Sequence, residues 1–153
     1  MKTLKQHIDE ALKIGKNLSD WSSYSCQPKT KEELEKIIEE RISKEGPNCD
    51  LNDIDVSLID DMSYLFHESE FNGDISKWNV SNVKDMWFMF DRSKFNQDIS
   101  NWDVSNVDSM ASSFCEAEFN QDISKWKINK NCDTHNMFKD CPIKSEYKPK
   151  ALQ

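Results

Sequence analysis

The stretch Phe71-Asn72-Gly73-Asp74-Ile75-Ser76-Lys77-Trp78-Asn79-Val80-Ser81-Asn82-Val83 returns 24 residues later as Phe95-Asn96-Gln97-Asp98-Ile99-Ser100-Asn101-Trp102-Asp103-Val104-Ser105-Asn106-Val107. It returns again, at the same step of 24, as Phe119-Asn120-Gln121-Asp122-Ile123-Ser124-Lys125-Trp126-Lys127-Ile128. A worn copy precedes them, with Asn48, Asp50, Leu51, Ile54, Asp55, Val56, Ser57, Ile59 and Met62 in the columns of Asn72, Asp74, Ile75, Trp78, Asn79, Val80, Ser81, Val83 and Met86. The units are therefore 47–70, 71–94, 95–118 and 119–142. A chain that repeats at this period buries its apolar columns by stacking copy on copy, since no single unit can do so alone.

Within a unit, Trp78 and Val80 alternate with Lys77 and Asn79, which predicts a short strand. Ser81-Asn82 has helix-capping chemistry, and Val83, Met86 and Phe90 then fall at i, i+3 and i+7, which predicts a short helix. Ile59/Met62/Phe66 and Val107/Met110/Phe114 repeat that face. The expected fold class is therefore α/β repeat: a right-handed β/α solenoid of four units, with parallel pairing between copies. In the last unit Asn131 and Thr134 replace the apolar residues of their columns, as suits a terminal copy that meets water.

Residues 1–46 lie outside the repeat and read as a helical N-terminal cap. Leu4, Ile8, Ala11, Leu12, Gly15 and Leu18 suggest one amphipathic helix. Thr30-Lys31-Glu32-Glu33 is a capping box, and Leu34, Ile37, Ile38, Arg41 and Ile42 follow on one face of a second helix that Gly46-Pro47 ends. Residues 143–153 read as a short basic C-terminal tail, frayed after Lys148-Pro149.

The FNxDISxWxVSNVxxM…F pattern, with the lead-in from Glu33-Leu34 through Leu51-Asn52-Asp53-Ile54-Asp55-Val56-Ser57, resembles the BspA-type leucine-rich-repeat family in its DUF285 branch, over roughly 30–142. The resemblance implies a solenoid of stacked repeats, no catalysis and protein-binding roles, many members being bacterial surface adhesins. Short versions of this kind are similar to open reading frames of gut bacteria and their phages.

Composition narrows the function classes. The 153 residues carry 20 Lys+Arg against 28 Asp+Glu, a formal net charge of −8. A pI near 4.9 opposes direct nucleic-acid binding, which needs a basic face. No apolar run is long enough to span a membrane, and the start Met1-Lys2-Thr3-Leu4-Lys5 has no secretory character, so a cytoplasmic location is expected. Five cysteines with no CxxC spacing then read as reduced, small apolar residues.

No nucleotide-binding, nucleophile-elbow or zinc-protease motif is present, and with only three glycines there is no phosphate-cradling loop. Cys132, His135 and Cys141 are an incomplete zinc set. The Asp ladder (Asp50, Asp74, Asp98, Asp122) and the Asn ladder (Asn48, Asn72, Asn96, Asn120) are expected to satisfy backbone groups at corners rather than to hold calcium. No enzyme activity, metal or cofactor is therefore expected.

The expected function is a non-catalytic protein-interaction module. Columns that change between copies face outward, and Tyr64, Trp87 and Phe88 fall there on adjacent copies, with His67 and Arg92 nearby; this is hot-spot composition. The repeats, 47–142, hold 8 basic and 18 acidic side chains, so a partner with a basic surface is expected. The alternative is a small acidic inhibitor of phage or mobile-element type, such as an anti-CRISPR. It would block a nucleic-acid-binding defence enzyme by presenting Asp55, Asp61, Asp85, Asp103 and Asp108 in place of phosphates.

Overall fold

A computed structural model describes residues 24–153. The proposed first amphipathic helix, Leu4 to Leu18, lies outside the described residues. The described chain contains one α-helix, α1 (Lys31–Glu45), and two short 3-10 turns, Ser145–Tyr147 and Lys150–Leu152. It contains no strand, only isolated parallel bridges, three of which join Asp61, Asp85, Ser109 and Asp133 in a line.

The expected right-handed β/α solenoid is therefore corrected: neither the strand nor the helix of each unit forms. The physical reason is visible in the stretch predicted to be helical. Met89, Asp91 and Ser93 donate their amides three residues back, to the carbonyls of Met86, Phe88 and Phe90. These are successive tight turns. Two residues four apart in every copy are left-handed: Tyr64/Glu68, Phe88/Arg92, Ser112/Glu116 and Asn136/Asp140, with φ between 52 and 59°. A right-handed helix cannot contain such residues. Spacings of i, i+3 and i+7 suit this ribbon of turns as well as a helix, which is why the pattern misled. Val83, Met86 and Phe90 are buried as predicted, at 0, 3 and 1% exposure. The Trp78/Val80 alternation is likewise real, but Trp78 and Val83 bond back to Ile75 and Val80 in further turns, leaving no run long enough for a sheet.

The copies are held together by peptide groups that point along the stack. Met62, Tyr64, Phe66 and Glu68 donate to the carbonyls of Asp85, Trp87, Met89 and Asp91 in the next copy. The amides following those carbonyls, of Met86, Phe88, Phe90 and Arg92, donate onward to Ser109, Ala111, Ser113 and Cys115. Met110, Ser112, Phe114 and Glu116 continue to Asp133, His135, Met137 and Lys139. Four parallel rows result, with twelve bonds of 2.7–3.1 Å and every peptide dipole in them aimed the same way.

Register at the backbone puts like side chains on like. Trp78, Trp102 and Trp126 stack with ring centroids 6.5 and 6.4 Å apart and planes within 5°. Phe71, Phe95 and Phe119 form a second column at 6.2 and 6.3 Å. Phe66, Phe90, Phe114 and Phe138 form a third at 5.3–5.6 Å. Each indole Nε1 donates to a buried carbonyl of the copy before, Trp78 to Leu51, Trp102 to Ile75 and Trp126 to Ile99, at 2.9–3.2 Å.

The corners are closed by short polar side chains. The carboxylates of Asp50, Asp74, Asp98 and Asp122 each accept from the amide two residues ahead, at 2.8–2.9 Å. The amide oxygens of Asn72, Asn96 and Asn120 accept from the backbone of Asn96, Asn120 and Lys144, tying each copy to the next. Gly73 breaks the column that holds Gln97 and Gln121: a Cβ there would lie 1.9 Å from the carbonyl oxygen of Cys49 and 2.7 Å from the Phe71 ring.

α1 covers the first copy. Thr30 caps it by accepting from Glu33, while the Glu33 carboxylate reaches back to the Lys29 amide at 2.7 Å. Leu34 and Ile38 enter the core. Arg41 grips both oxygens of Asp53 at 3.2 and 3.0 Å and donates to the Asp50 carbonyl. The expected frayed tail is also corrected. Ile143 and Tyr147 stand one period beyond Phe119 and Ile123, Ile143 is buried, and the Tyr147 carbonyl accepts from Ile123. Pro149 is buried and Gln153 donates to the carbonyls of Glu146 and Lys148, so the tail packs as a fragment of a further copy.

Two outcomes follow for stability, both read by denaturant unfolding. Gly73→Gln restores the residue of the two later copies, yet it is expected to destabilise by about 2 kcal/mol or more, because backbone must move to admit the Cβ. Trp102→Phe keeps the stacked ring but orphans the Ile75 carbonyl, and is expected to cost about 1–3 kcal/mol.

Candidate functional site

The left-handed column decides which aromatic side chains turn outward. Tyr64 and Phe88 occupy it in adjacent copies, and their rings stack at 5.3 Å with planes 3° apart. Trp87 stands edge-on to both, 5.2 Å from Tyr64 and 5.0 Å from Phe88. His67 closes the cluster, 5.4 Å from Tyr64 and 6.3 Å from Phe88. The structure thus brings Tyr64, Trp87, Phe88 and His67 together. Tyr64 is 42% and Trp87 43% exposed, two of three large hydrophobic side chains that are exposed among the described residues. The third, Leu58, belongs to another column and was not singled out by sequence reasoning.

The two polar members are committed to neighbours. Arg92 lies between Glu68 and Glu116, 3.3 Å from each, in a ladder that spans three copies. His67 Nδ1 lies 3.1 Å from the carboxylate of Asp91, which is almost wholly buried, though without the alignment of a hydrogen bond. Arg92 and His67 therefore frame the aromatic cluster rather than stand free beside it.

The five carboxylates proposed as one acidic face divide between two corners. Asp55 and Asp103 share one column, with Asn79 between them; Asp55 accepts from Gln27 and Ser57, and Asp103 from the amide and hydroxyl of Ser105. Asp61 and Asp85 are paired by a backbone bridge at the other corner and accept from the amides of Ser63 and Trp87. Asp108 adjoins that second corner and meets the side chain of Asn129 at 3.4 Å.

Hydrogen bonding favours the ionised form of two of these groups. Asp103 is pulled below the ordinary carboxylate range by the Ser105 hydroxyl and amide. At Asp61 partial burial pushes upward, but the Ser63 hydrogen bonds and the Lys31 ammonium outweigh it and the net shift is downward. Asp53, Asp74 and Asp122 are lowered too.

The thiols are driven the other way. Burial pushes Cys132 up to about 11, and Cys26, Cys49, Cys115 and Cys141 are also raised, chiefly by burial. Such thiols are protonated at neutral pH and poor nucleophiles. Cys132 and Cys141 direct their sulfurs to different backbone carbonyls, those of Asp133 and Phe119, while His135 is exposed. Among the described residues no three metal-ligating side chains converge, and no helix is long and apolar enough to cross a membrane.

The architecture defines a class first: a protein of stacked, turn-built repeats whose aromatic columns are buried and whose irregular columns carry the surface. The family model described as "Mycoplasma protein of unknown function, DUF285" matches residues 32–148, and the chain belongs to that family. The match is to the DUF285 branch and carries no leucine-rich-repeat assignment. No curated protein and no solved structure matches the chain.

The depressed carboxylates set an acid limit. Their folded-state values lie below their unfolded ones, so the stability they contribute is complete above the unfolded value, roughly 3.9 for Asp, and is lost as pH falls through the lower folded values. The melting temperature is expected to fall steeply below about pH 4. Asp61→Asn is expected to lower it at pH 7 and to flatten the acid limb, as melts across that range would show.

Proposed function

We propose that this chain is a non-catalytic protein-interaction module whose anchor is the Tyr64–Trp87–Phe88 cluster. The observation that carries the reading is the mutual contact of these rings at the surface, Tyr64 and Trp87 exposed and Phe88 half-buried, at a place where the fold does not need them. Left-handed backbone at this column suits Gly or Asn far better than an aromatic residue, and the later copies have Ser112 and Asn136 there. Tyr64 and Phe88 therefore stand against local preference, and Trp87 aligns with Ser63 and Ala111, which are small. Large rigid aromatic side chains beside charged groups are the common anchors of protein interfaces.

The carboxylates around the cluster favour a partner with basic groups at its rim. Asp61 and Asp85 lie beside it, and residues 30–124 as a whole carry 8 basic against 22 acidic side chains. That field speeds encounter and rejects acidic surfaces, while the rings supply affinity.

Affinity capture from host extract, with the same bait carrying Trp87→Ala, tests the reading. A specific partner is expected to survive high salt and to be lost from the variant, at a cost of about 2 kcal/mol or more in a subsequent titration. Trp87→Ala should leave folding nearly unchanged. Capture that is indifferent to Trp87→Ala, but abolished by salt and by Asp61→Lys with Asp85→Lys, would overturn aromatic anchoring.

A further inference from the structure

The four rows of peptide groups run in one direction and end at the last copy. Asp133, His135, Met137 and Lys139 accept from the copy before. The amides that follow those carbonyls belong to Thr134, Asn136, Phe138 and Asp140. In the three earlier copies their counterparts donate onward; here none has a partner among the described residues. Four donors at alternate positions thus form an open edge, at the positive end of aligned dipoles. At the opposite end, the carbonyls of Asp61, Ser63, Leu65 and His67 begin the rows, and Lys31 of α1 engages side chains there, donating to the Ser63 hydroxyl at 2.8 Å and pairing with the Asp61 carboxylate at 3.6 Å. Among the described residues no helix covers the C-terminal edge: the tail packs along Phe119 and Ile123, touches the edge through Lys148 over the Phe138 ring, and leaves His135, Asn136, Lys139 and Asp140 exposed.

Charge agrees with the dipoles. Residues 125–153 hold seven lysines against three carboxylates, net +4, whereas residues 30–124 are net −14. Lys130 precedes the open row in sequence and Lys139 lies within it, and Lys148 lies over the Phe138 ring at 5.6 Å. Asp133 and Asp140 bracket it, and the Asp133 carboxylate is already occupied by the His135 amide.

We infer that this edge is a second docking site, for an extended, acidic segment of a partner protein that adds itself to the stack as a further copy would. An extended chain presents the C=O and N–H of every second residue on one side, so its carbonyls recur at the same residue interval as the four donors. Its carboxylates would meet Lys130 and Lys139, and the positive end of the rows favours acceptors over donors. The site is independent of the aromatic cluster and selects the opposite charge. A second copy of this chain is the competing occupant; Lys31 of α1, held by the Ser63 hydroxyl and the Asp61 carboxylate at the carbonyl end that would have to enter, stands against it.

Titration of the ¹⁵N-labelled full chain with a short peptide alternating glutamate and valine tests the inference, with an alternating lysine–valine peptide as control. The glutamate peptide is expected to shift the amides of Thr134, Asn136, Phe138 and Asp140 saturably and to slow their hydrogen exchange; the lysine peptide is expected to do neither. Thr134→Pro deletes one donor and should weaken the effect. Lys130→Glu with Lys139→Glu keeps every donor and should weaken binding about ten-fold, the loss of two exposed charge pairs. The inference is overturned by no shift at millimolar peptide, by shifts confined to lysine-rich positions outside 134–140, or by equal response to both peptides. It is equally overturned if the same amides broaden when the protein alone is concentrated, which would assign the edge to a second copy.

Discussion

Everything in this structure depends on peptide groups that bond to their counterparts one copy away. In each copy four N–H groups point forward and four C=O groups point back, so a bond made by one copy orients the group that makes the next. Aligned chains of this kind polarise one another and resist slippage by less than a whole period. Side-chain register is the consequence: once the backbone repeats at 24 residues, tryptophan falls on tryptophan and phenylalanine on phenylalanine. The indole N–H bonds lock the two levels together, since each ring can reach its carbonyl only when the copies are in step.

The four rows run one way, although Lys84, Asp108 and Asp133 donate in reverse to Asp60, Lys84 and Asp108, so the rows have unlike ends and the chain treats them differently. At the carbonyl end α1 lays Leu34 and Ile38 on the core, while Arg41 and Lys31 bring positive charge to exposed oxygens. At the amide end the tail imitates the opening residues of another copy but stops short of the turn ribbon. The unequal charge of the two ends follows the same logic, with carboxylates concentrated toward α1 and lysines toward the tail.

The surface is what the stack leaves over. Columns that must stack are filled by the same residues in each copy, so recognition falls to columns free to vary. The variable column of Tyr64 and Phe88 is left-handed in every copy, including those with Ser112 and Asn136. Its backbone conformation is therefore a property of the coil, and only the choice of aromatic residues needs a separate reason. The Asp ladder has the converse character: repeated unchanged, it closes corners by accepting backbone amides.

Much of this was legible in the sequence. The period, the buried columns, the corner role of the Asp and Asn ladders, the capping box of α1 and the grouping of Tyr64, Trp87 and Phe88 follow from residue types and spacing. Local conformation did not. Apolar residues at i, i+3 and i+7 fit a helix and a chain of tight turns equally, and the left-handed residues that decide between them are not glycines, so nothing in their identity announces them. Asp or Asn with a polar residue two places on, at Asp74-Ile75-Ser76 and Asn79-Val80-Ser81, was the available signal for corners instead of helix caps. The direction of the peptide rows, the collision that requires Gly73 and the open row of amides at 134–140 exist only between copies. Identical side chains carry no record of which way the groups behind them point; that was decided by tertiary stacking, where each amide takes the acceptor the next copy brings within reach.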